Sequence, residues 1–363
     1  MNRLLPLPFF IFIKMVIKNG GISYKRIKNV PAWLIKTILF EPFRWFELAF
    51  YHKRIRQHNI SKDPIFILGF YRSGTSYLHE FLIQDDRFGY HTNFQMVFPD
   101  MMLVCEKWLS PILEFMCRTF NIHDPVHRTR LSFRFPGEED GTMTTSLNPR
   151  GAAWGYFFPS KMMEYFNKYV LFRDIPESEI EKWKQDYIFL IKKISLANHN
   201  KQLVLKSPPN TARIKLLLSI FPNAKFIFIH RNPVQVYASN KRFLKVAYGF
   251  YGIGKSKKVD FNSIILETYS QTIQRYLNEK DLIPHGHLVE IAYDDFVKQP
   301  LTHMENIYDT LQLNNFEVYR NKMSEFATLQ RNFVSLNHQL QPSEKIPVNK
   351  KLLPFIKHWS YSI

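Results

Sequence analysis

Basic side chains follow three short apolar runs of this sequence. Arg72 comes after the first run, Lys206 closes the second, and Arg231 comes after the third. Short runs without polar interruption are typical of strands that are buried on both faces of a parallel sheet. Since ligands of open α/β sheets bind outside the carboxyl ends of the strands, we expect the three cations to lie around one anionic group.

The first run continues into a glycine loop and the start of a helix. Ile65–Leu68 is followed at once by Gly69, and Gly74 closes the loop. The first N–H groups of a helix have no internal partner and lie at the positive end of the helix dipole, so they favour an anion. Hydroxyl groups add further donors at Ser73, Thr75 and Ser76. The segment therefore predicts a site for a phosphate-like group.

This loop differs from the loop that binds nucleoside triphosphates. The triphosphate version reads G-x-x-x-x-G-K-[ST], where the lysine reaches the phosphates and the hydroxyl residue holds magnesium. Thr75 stands at the lysine position, and the cation lies inside the loop at Arg72. A planar guanidinium binds a terminal anion through two parallel hydrogen bonds, so the loop favours such an anion over a magnesium-bridged triphosphate.

A second strand and helix carry another cation. Phe226–Ile229 is a continuous apolar run, and Pro233 stands where a following helix would begin, because its missing N–H is no loss in the first turn. A triphosphatase would need an acid at the end of this strand to hold magnesium. The chain has His230 and Arg231 there, with Ser239 two helical turns further on.

With the loop R-S-G-T-[ST] and this spacing of Arg231 and Ser239, the sequence resembles the PAPS-dependent sulfotransferases, and among them the bacterial-type group. The likeness runs from about Pro64 to Pro300. It implies a P-loop-like three-layer α/β/α domain with a mostly parallel sheet. It also implies transfer of a sulfonyl group from PAPS (3′-phosphoadenylyl sulfate) to a hydroxyl acceptor, without a metal.

The resemblance assigns the residues that bind the donor. The loop would hold the 5′-phosphosulfate, Arg231 and Ser239 would hold the 3′-phosphate, and Tyr293 would lie near the adenine. Tyr293 opens a segment Y-D-D-F that is similar to the family's Y-E-D-L, after a strand predicted for His287–Ala292. Plain core packing is the alternative role for this tyrosine. The loop residues are Arg72, Ser73, Gly74, Thr75 and Ser76.

An acidic run supplies the candidate general base. The acceptor hydroxyl must lose its proton as the new S–O bond forms. Other sulfotransferases place a histidine shortly after the lysine that corresponds to Lys206, but here Ser207 and two prolines follow it. The resemblance therefore favours Glu139 as base, with Glu138 in reserve, and both are predicted on a loop after Pro136-Gly137. A solvated acidic loop is the alternative.

Lys206 and Arg72 complete the predicted catalytic set. The family counterpart of Lys206 stabilises charge on the bridging oxygen and on the moving sulfonyl group, a task that suits a compact point charge. A surface lysine that leaves a strand is the alternative.

The segment Gly249–Ser256 matches the triphosphate-loop pattern literally and supports another function, a P-loop nucleotide kinase or ATPase with Lys255 on the phosphates. Its context argues against that function. The helix that begins at Pro233 is predicted to continue up to it, and further lysines follow it in place of an apolar helix stripe. A basic loop over the donor or acceptor site is the interpretation we favour.

The composition excludes several classes of protein. The 363 residues are 45% apolar and 16% aromatic, which excludes a disordered chain. Two cysteines argue against a disulfide scaffold and favour a reducing compartment, the cytoplasm. The net charge of +18 suits an anionic cofactor, an anionic membrane surface or a nucleic acid. No recognised nucleic-acid motif accompanies it, so a nucleic-acid partner is the least favoured of the three.

The sequence predicts an amphipathic helical lead at residues 1–60, with one or two helices from Ala32 to Tyr51, before a sulfotransferase domain at 61–363. From Ala32 to Tyr51, aromatic and aliphatic residues alternate with charged ones. Such helices either lie on a membrane surface, here the inner face, or pack on the domain's own core. Methionine and aromatic residues between Met101 and Phe120 favour an apolar alcohol or lipid as acceptor, and a carbohydrate is the alternative.

Overall fold

The computed structural model describes residues 7–124, 130–255, 259–330 and 342–362, with the backbone alone at 342–347 and 349. The chain divides into two compact units. Unit 1 contains residues 1–61, 91–200 and 243–260, and unit 2 contains residues 62–90, 201–242 and 261–363. Residues 1–61 therefore group with two later segments, and the division into a lead and one domain stays a prediction.

Unit 2 contains the sheet. The strands are β1 Ile65–Leu68, β2 Phe88–Tyr90, β3 Gln202–Lys206, β4 Lys225–His230 and β5 Leu288–Ala292. Their order is β2-β3-β1-β4-β5, and every neighbouring pair is parallel. The carboxyl ends of β3, β1 and β4 therefore lie side by side, as the sequence predicted for the three cations.

Helices pack on this sheet within unit 2, and helices also make up most of unit 1. In chain order they are α1 Phe9–Lys18, α2 Tyr24–Ile27, α3 Val30–Gln57, α4 Thr75–Leu82, α5 Asn93–Val97, α6 Met102–Thr119, α7 Glu139–Thr145, α8 Trp154–Phe157, α9 Met162–Tyr169, α10 Glu177–Ala197, α11 Ile214–Ile220, α12 Pro233–Tyr251, α13 Phe261–Glu279, α14 Tyr293–Lys298, α15 Pro300–Thr310, α16 Phe316–Gln330 and α17 Pro342–His358. As expected, α12 begins at Pro233.

Alternate residues of the strands pack against helices on opposite faces of the sheet. Ile65 and Ile67 belong to one buried cluster with residues of α4, α14, α15 and α16. On the other face, the Phe228 ring of β4 stacks on Tyr276 of α13 with the ring centroids 3.7 Å apart. Side chains of a strand point alternately to its two faces, so the sheet presents apolar residues on both faces, and helices cover each of them. The predicted three-layer α/β fold with a parallel sheet is confirmed.

Unit 1 is helical and contains the long helix α3. The inward face of α3 carries buried Trp33 and Thr37 near its start and Glu47 further on. The Phe12 ring of α1 packs on Trp33 with the centroids 3.8 Å apart, which joins the first helix to the third. The sequence predicted one or two helices between Ala32 and Tyr51, and one continuous helix spans them. No helix in the described part of the chain combines the length and the apolar character needed to cross a bilayer.

The acidic run after Gly137 is not the loop that the sequence predicted. Glu139 and Asp140 open α7, and Glu138 occupies the N-cap position before them. Both helical acids are buried, so the alternative of a solvated acidic loop is wrong for them. Polar residues such as the threonines that follow gave no apolar periodicity by which a helix could be recognised.

Candidate functional site

The loop between β1 and α4 has the backbone of an anion-binding turn. Arg72 and Gly74 both lie in the left-handed region, with φ of 70° and 106°. A Cβ atom at Gly74 would overlap the ring of Tyr293, so glycine is required there for two independent reasons. A side chain with positive φ at a functional loop is a strained conformation, which the surrounding structure must hold in place.

Two side chains of unit 2 hold this loop. The Thr211 hydroxyl accepts a hydrogen bond from the Gly69 N–H at 2.8 Å and also donates to the Gly69 carbonyl at 3.1 Å. The side-chain amide of Asn240 donates to the Tyr71 carbonyl at 2.8 Å. The sequence analysis missed both of these residues. The polar run that follows Lys206 contains Thr211, but nothing in its pattern indicates a contact with the loop.

Ser73 lies inside the loop with its hydroxyl group buried. The residue is 2% exposed, and its Oγ atom has no hydrogen-bond partner in the described part of the chain. A buried polar atom without a partner costs about 1–3 kcal/mol, so such atoms are rare unless a ligand completes them. Together with the N–H groups at the start of α4, this hydroxyl makes the loop suited to bind an oxyanion.

Arg72 meets the other predicted phosphate residue. Its Nε atom donates to Ser239 Oγ on α12 at 3.1 Å. The hydroxyl of Ser239 still has its own proton to donate, because a hydroxyl is one donor and two acceptor positions. The structure therefore joins the loop arginine to Ser239, the residue that the sequence paired with Arg231.

Arg231 follows β4 and lies against an aromatic ring. Its Cζ atom is 4.6 Å from the centroid of Tyr293, and its Nε atom donates to Gln235 Oε1 at 3.0 Å. Burial raises the pKa of the Tyr293 phenol, while the positive charges of Arg231 and Arg72 lower it. Gly74 of the loop that carries Arg72 packs against the same ring, so Arg231 lies beside that loop.

The end of the chain packs beside this arginine. The ring of Trp359 stacks on His230 with the centroids 4.7 Å apart, and the Tyr361 hydroxyl lies 2.8 Å from His230 Nδ1. Asn232 also donates to the carbonyl of Ser362 at 3.0 Å. Burial lowers the pKa of His230 to about 4, so its imidazole is neutral near pH 7. The sequence analysis did not link Trp359 or Tyr361 to this site, since no local pattern connects them with β4.

The remaining loop residues and Lys206 also lie in unit 2. Thr75 is buried at the start of α4, and Ser76 follows it in the first turn. Lys206 is the last residue of β3, is 3% exposed and is in register with Ile67 of β1. It is thus not the surface lysine that was the alternative.

The candidate bases lie in unit 1. Glu139 is fully buried, and Glu138 is partly buried. Asp140 has a structural role, because its Oδ2 atom accepts N–H hydrogen bonds from Ala152 at 2.9 Å and Ala153 at 3.2 Å. The two glutamates thus belong to a different unit from the arginines and Lys206, and their role as base stays a prediction.

The segment Gly249–Ser256 does not form a triphosphate loop in its described part. Its first residues, up to Tyr251, belong to α12, so a helix precedes the segment where a strand is required. The N–H groups of Ile253 and Gly254 both donate to the Phe157 carbonyl, at 2.8 and 3.0 Å. Ser256 lies outside the described residues. The described side chains also contain no cluster of three potential metal ligands.

Comparisons with known proteins point to one family. The model of the sulfotransferase family matches residues 64–317. Over 354 residues the chain is 26% identical to the omega-hydroxy-beta-dihydromenaquinone-9 sulfotransferase Stf3 of Mycobacterium bovis, with 97% of this chain and 89% of that protein covered. The Stf3 protein of Mycobacterium tuberculosis gives the same values.

Two crystal structures share the fold. The sulfotransferase STF9 of Mycobacterium avium superimposes with a TM-score of 0.69 at 15% identity, over 88% of this chain and 82% of that one. The sulfotransferase STF1 of Mycobacterium tuberculosis superimposes with a TM-score of 0.65 at 15% identity, over 95% of this chain and 90% of that one.

Proposed function

Because this chain belongs to the sulfotransferase family and is a transferase enzyme, we propose that it moves a sulfonyl group from PAPS to the hydroxyl group of a lipid alcohol. The family resemblance predicted from the two motifs is confirmed. The alternative function, a nucleotide kinase or ATPase at Gly249–Ser256, has no support. The relative Stf3 is named for a hydroxylated menaquinone, which favours an apolar alcohol over a carbohydrate as acceptor here.

One observation carries the proposal for the donor. Arg72 and Arg231 follow neighbouring parallel strands. The Arg231 guanidinium lies on the Tyr293 ring, and Gly74 of the Arg72 loop packs against that ring. PAPS carries a phosphosulfate at one end of its ribose and a phosphate at the other, so it needs two cationic groups beside one aromatic face. The residues present fit this donor, since the buried hydroxyl of Ser73 lies in the loop and its Oγ atom has no hydrogen-bond partner among the described residues.

The donor-binding roles follow from these positions. The loop from Arg72 to Ser76 binds the phosphosulfate through its N–H groups, its hydroxyls and the guanidinium. Arg231 binds the 3′-phosphate, and Ser239 supports it with the hydroxyl proton that its hydrogen bond from Arg72 leaves free. Tyr293 lies along the adenosine, where its ring also fixes Arg231 by a cation–π contact.

The transfer step makes one S–O bond and breaks another. The oxygen of the acceptor bonds to sulfur, and the bond between sulfur and the bridging oxygen of the donor breaks. Lys206 and Arg72 stabilise the negative charge on the bridging oxygen and on the sulfonyl group. The proton of the acceptor hydroxyl goes to the carboxylate of Glu139. PAPS supplies the activated sulfonyl group, and the protein supplies orientation, positive charge and the base.

Label transfer from radioactive PAPS tests the reaction. The purified protein is incubated with labelled PAPS and either a lipid extract or a polysaccharide fraction of its source, and the products are separated. We expect label in the lipid fraction alone. Label in polysaccharide would refute the lipid acceptor, and the absence of transfer to either fraction would refute the proposed reaction.

A pair of neighbouring glutamates tests the base in the same assay. Glu139→Gln removes the proton acceptor, so we expect kcat to fall by about 10²–10⁴-fold, with unchanged affinity for the donor product and an unchanged melting temperature. Glu138→Gln is the matched control and should keep nearly full activity. Equal losses in both variants, or none in Glu139→Gln, would exclude Glu139 as the base.

A further inference from the structure

The long helix α3 is apolar on the face that it turns away from the protein. Its inward face holds buried residues such as Trp33 and Ile55. Opposite them, side chains at helical spacing are exposed, and Ile35 and Phe50 reach 68% and 67% exposure. A surface helix of a globular protein normally has polar residues on that face. The exposed apolar side chains of α3 are Ile35, Ile38, Leu39, Trp45, Phe46, Leu48 and Phe50.

The neighbouring helix α6 repeats this pattern. Cys105 and Cys117 are buried on its inward face, while Trp108, Ile112 and Phe115 are exposed on the other. These three positions are four and three residues apart, so they form one stripe along the helix. Pro111 and Met116 lie on the same stripe and are also exposed.

The two outward faces form a continuous surface within unit 1. The ring of Phe43 on α3 contacts the ring of Trp108 on α6, with the centroids 5.7 Å apart. We call the exposed apolar residues of both helices the α3–α6 surface. Scattered exposed apolar residues are ordinary, but a contiguous patch of this kind marks an interaction site.

Positive charge surrounds this surface. Exposed lysines and arginines lie just before α3, in its last turn and along α6. At the edge of α3, the carboxylate of Glu41 is paired with Arg44 at 3.0 Å and so does not offset these charges. The exposed basic residues are Lys28, Lys53, Arg54, Arg56, Lys107 and Arg118.

The charge decides which partner fits. A second copy of the chain would bring an equally basic rim against this one, and like charges across an interface oppose association. An anionic lipid surface complements the rim and accepts the apolar side chains in the same contact. A helix that lies in the plane of a bilayer inserts its apolar face by about 5–10 Å, which agrees with a helix that cannot cross the membrane.

We propose that the α3–α6 surface docks this protein on a bilayer that contains anionic phospholipid. Residues of α6 take part as well as the N-terminal segment, so the surface is formed only in the folded unit. The proposal does not depend on the reaction, since it concerns residues outside the donor site. A lipid alcohol dissolved in the same bilayer would then be delivered to a bound enzyme.

Sedimentation with vesicles tests the surface. Full-length protein is mixed with vesicles of phosphatidylcholine alone or with about one third phosphatidylglycerol, at low and high salt. We expect binding to the anionic vesicles, weakened at least tenfold at high salt because the charges are then screened. Phe46→Asp combined with Phe115→Asp should weaken this binding at least tenfold, since it puts two carboxylates against the lipid.

A matched control lies in unit 2. Val318 on α16 is 69% exposed, the same fraction as Phe115, so Val318→Asp adds an exposed acid away from the surface. This variant should bind vesicles like the unchanged protein, and melting temperatures should show that all variants fold. Equal binding by the double variant, or equal loss in the control, would overturn the proposal.

Two further results would also overturn it. One is the absence of binding to anionic vesicles by the unchanged protein. The other is a dimer, seen by light scattering, that the double variant separates while vesicle binding stays unaffected. Transfer of label to a short alcohol in detergent solution is measured in parallel. If that transfer persists when docking is lost, the failure concerns the surface, and if it is absent throughout, the proposed reaction has failed instead.

Discussion

Each unit contains a lysine that is almost fully buried, and the two lysines have different surroundings. Lys193 of α10 in unit 1 is 6% exposed, and Lys206 at the end of β3 in unit 2 is 3% exposed. An uncompensated buried charge is costly, so a buried lysine indicates either a structural ion pair or a site for a charged ligand.

Lys193 belongs to a structural network. Its ammonium group contacts the Glu47 carboxylate and the Pro99 carbonyl. Glu47 also accepts N–H hydrogen bonds from Leu103 at 2.6 Å and Val104 at 3.2 Å, in the first turn of α6. One lysine and one glutamate therefore connect α3, α6 and α10, and the two charges compensate each other.

Lys206 lies where the parallel sheet presents its carboxyl ends. Its strand lies directly beside β1, whose loop carries Arg72. Burial alone therefore does not distinguish a lysine that binds a ligand from a structural one. The position of Lys206 favours a binding role, because strand ends of a parallel sheet are the common binding edge, whereas the middle of a helical layer is not.

Removing the structural lysine should have the largest effect, and on stability. Lys193→Met leaves the Glu47 charge buried without its partner, so the free energy of unfolding should fall by about 3–5 kcal/mol. Denaturant titration measures this fall. Glu47→Gln together with Lys193→Met should recover part of the loss, since neither partner then carries a charge. If Lys193→Met has the same free energy of unfolding as the unchanged protein, the ion pair does not stabilise the fold.

Removing the proposed catalytic lysine should affect the rate. Lys206→Met keeps the length of the side chain but removes the charge that stabilises the transition state, so kcat/KM should fall by about 10²–10³-fold. Steady-state kinetics with labelled PAPS measures kcat/KM. The control is Lys193→Met, which also removes a buried lysine and whose folded fraction should keep its rate. A rate change smaller than tenfold in Lys206→Met would place this lysine outside the chemistry.

The arginine at the end of β4 should contribute a smaller, specific amount. Arg231→Ala removes one phosphate contact, so the affinity for the bisphosphate product of PAPS should weaken by more than tenfold, about 1.4 kcal/mol. Calorimetric titration of the product measures it. The same titration with adenosine 5′-phosphate, which lacks the 3′-phosphate, should show little change. Unchanged affinity for the bisphosphate would contradict the assignment of Arg231.

The sheet and its cations were predictable because their signals are local. Unbroken apolar runs marked β1, β3 and β4, and Pro233 marked the start of α12. Topology rules then placed the residues after those strands at one edge. The three-residue strand β2 gave no comparable run and was missed.

The features that were not predicted depend on contacts between distant residues. The burial of Glu139 and the helical state of α7 follow from the packing of unit 1 and not from an apolar pattern. The hydrogen bond from Arg72 to Ser239 depends on how α12 leaves β4. The sequence of α3 also did not show that its inward and outward faces are both apolar. Helical periodicity indicates a single apolar face opposite a polar one, and a helix with two apolar faces gives only a weak signal of this kind.

The pairing of Ile22 with Gly254 in unit 1 bears on how the protein is made. The Ser23 N–H donates to the Ile253 carbonyl at 2.8 Å, and Arg26 donates to the Gly249 carbonyl at 2.9 Å. During translation, the first helices cannot form these contacts until most of the polypeptide has been synthesised. Meanwhile their apolar faces are available to chaperones, so a nascent chain that stops before Gly249 should aggregate.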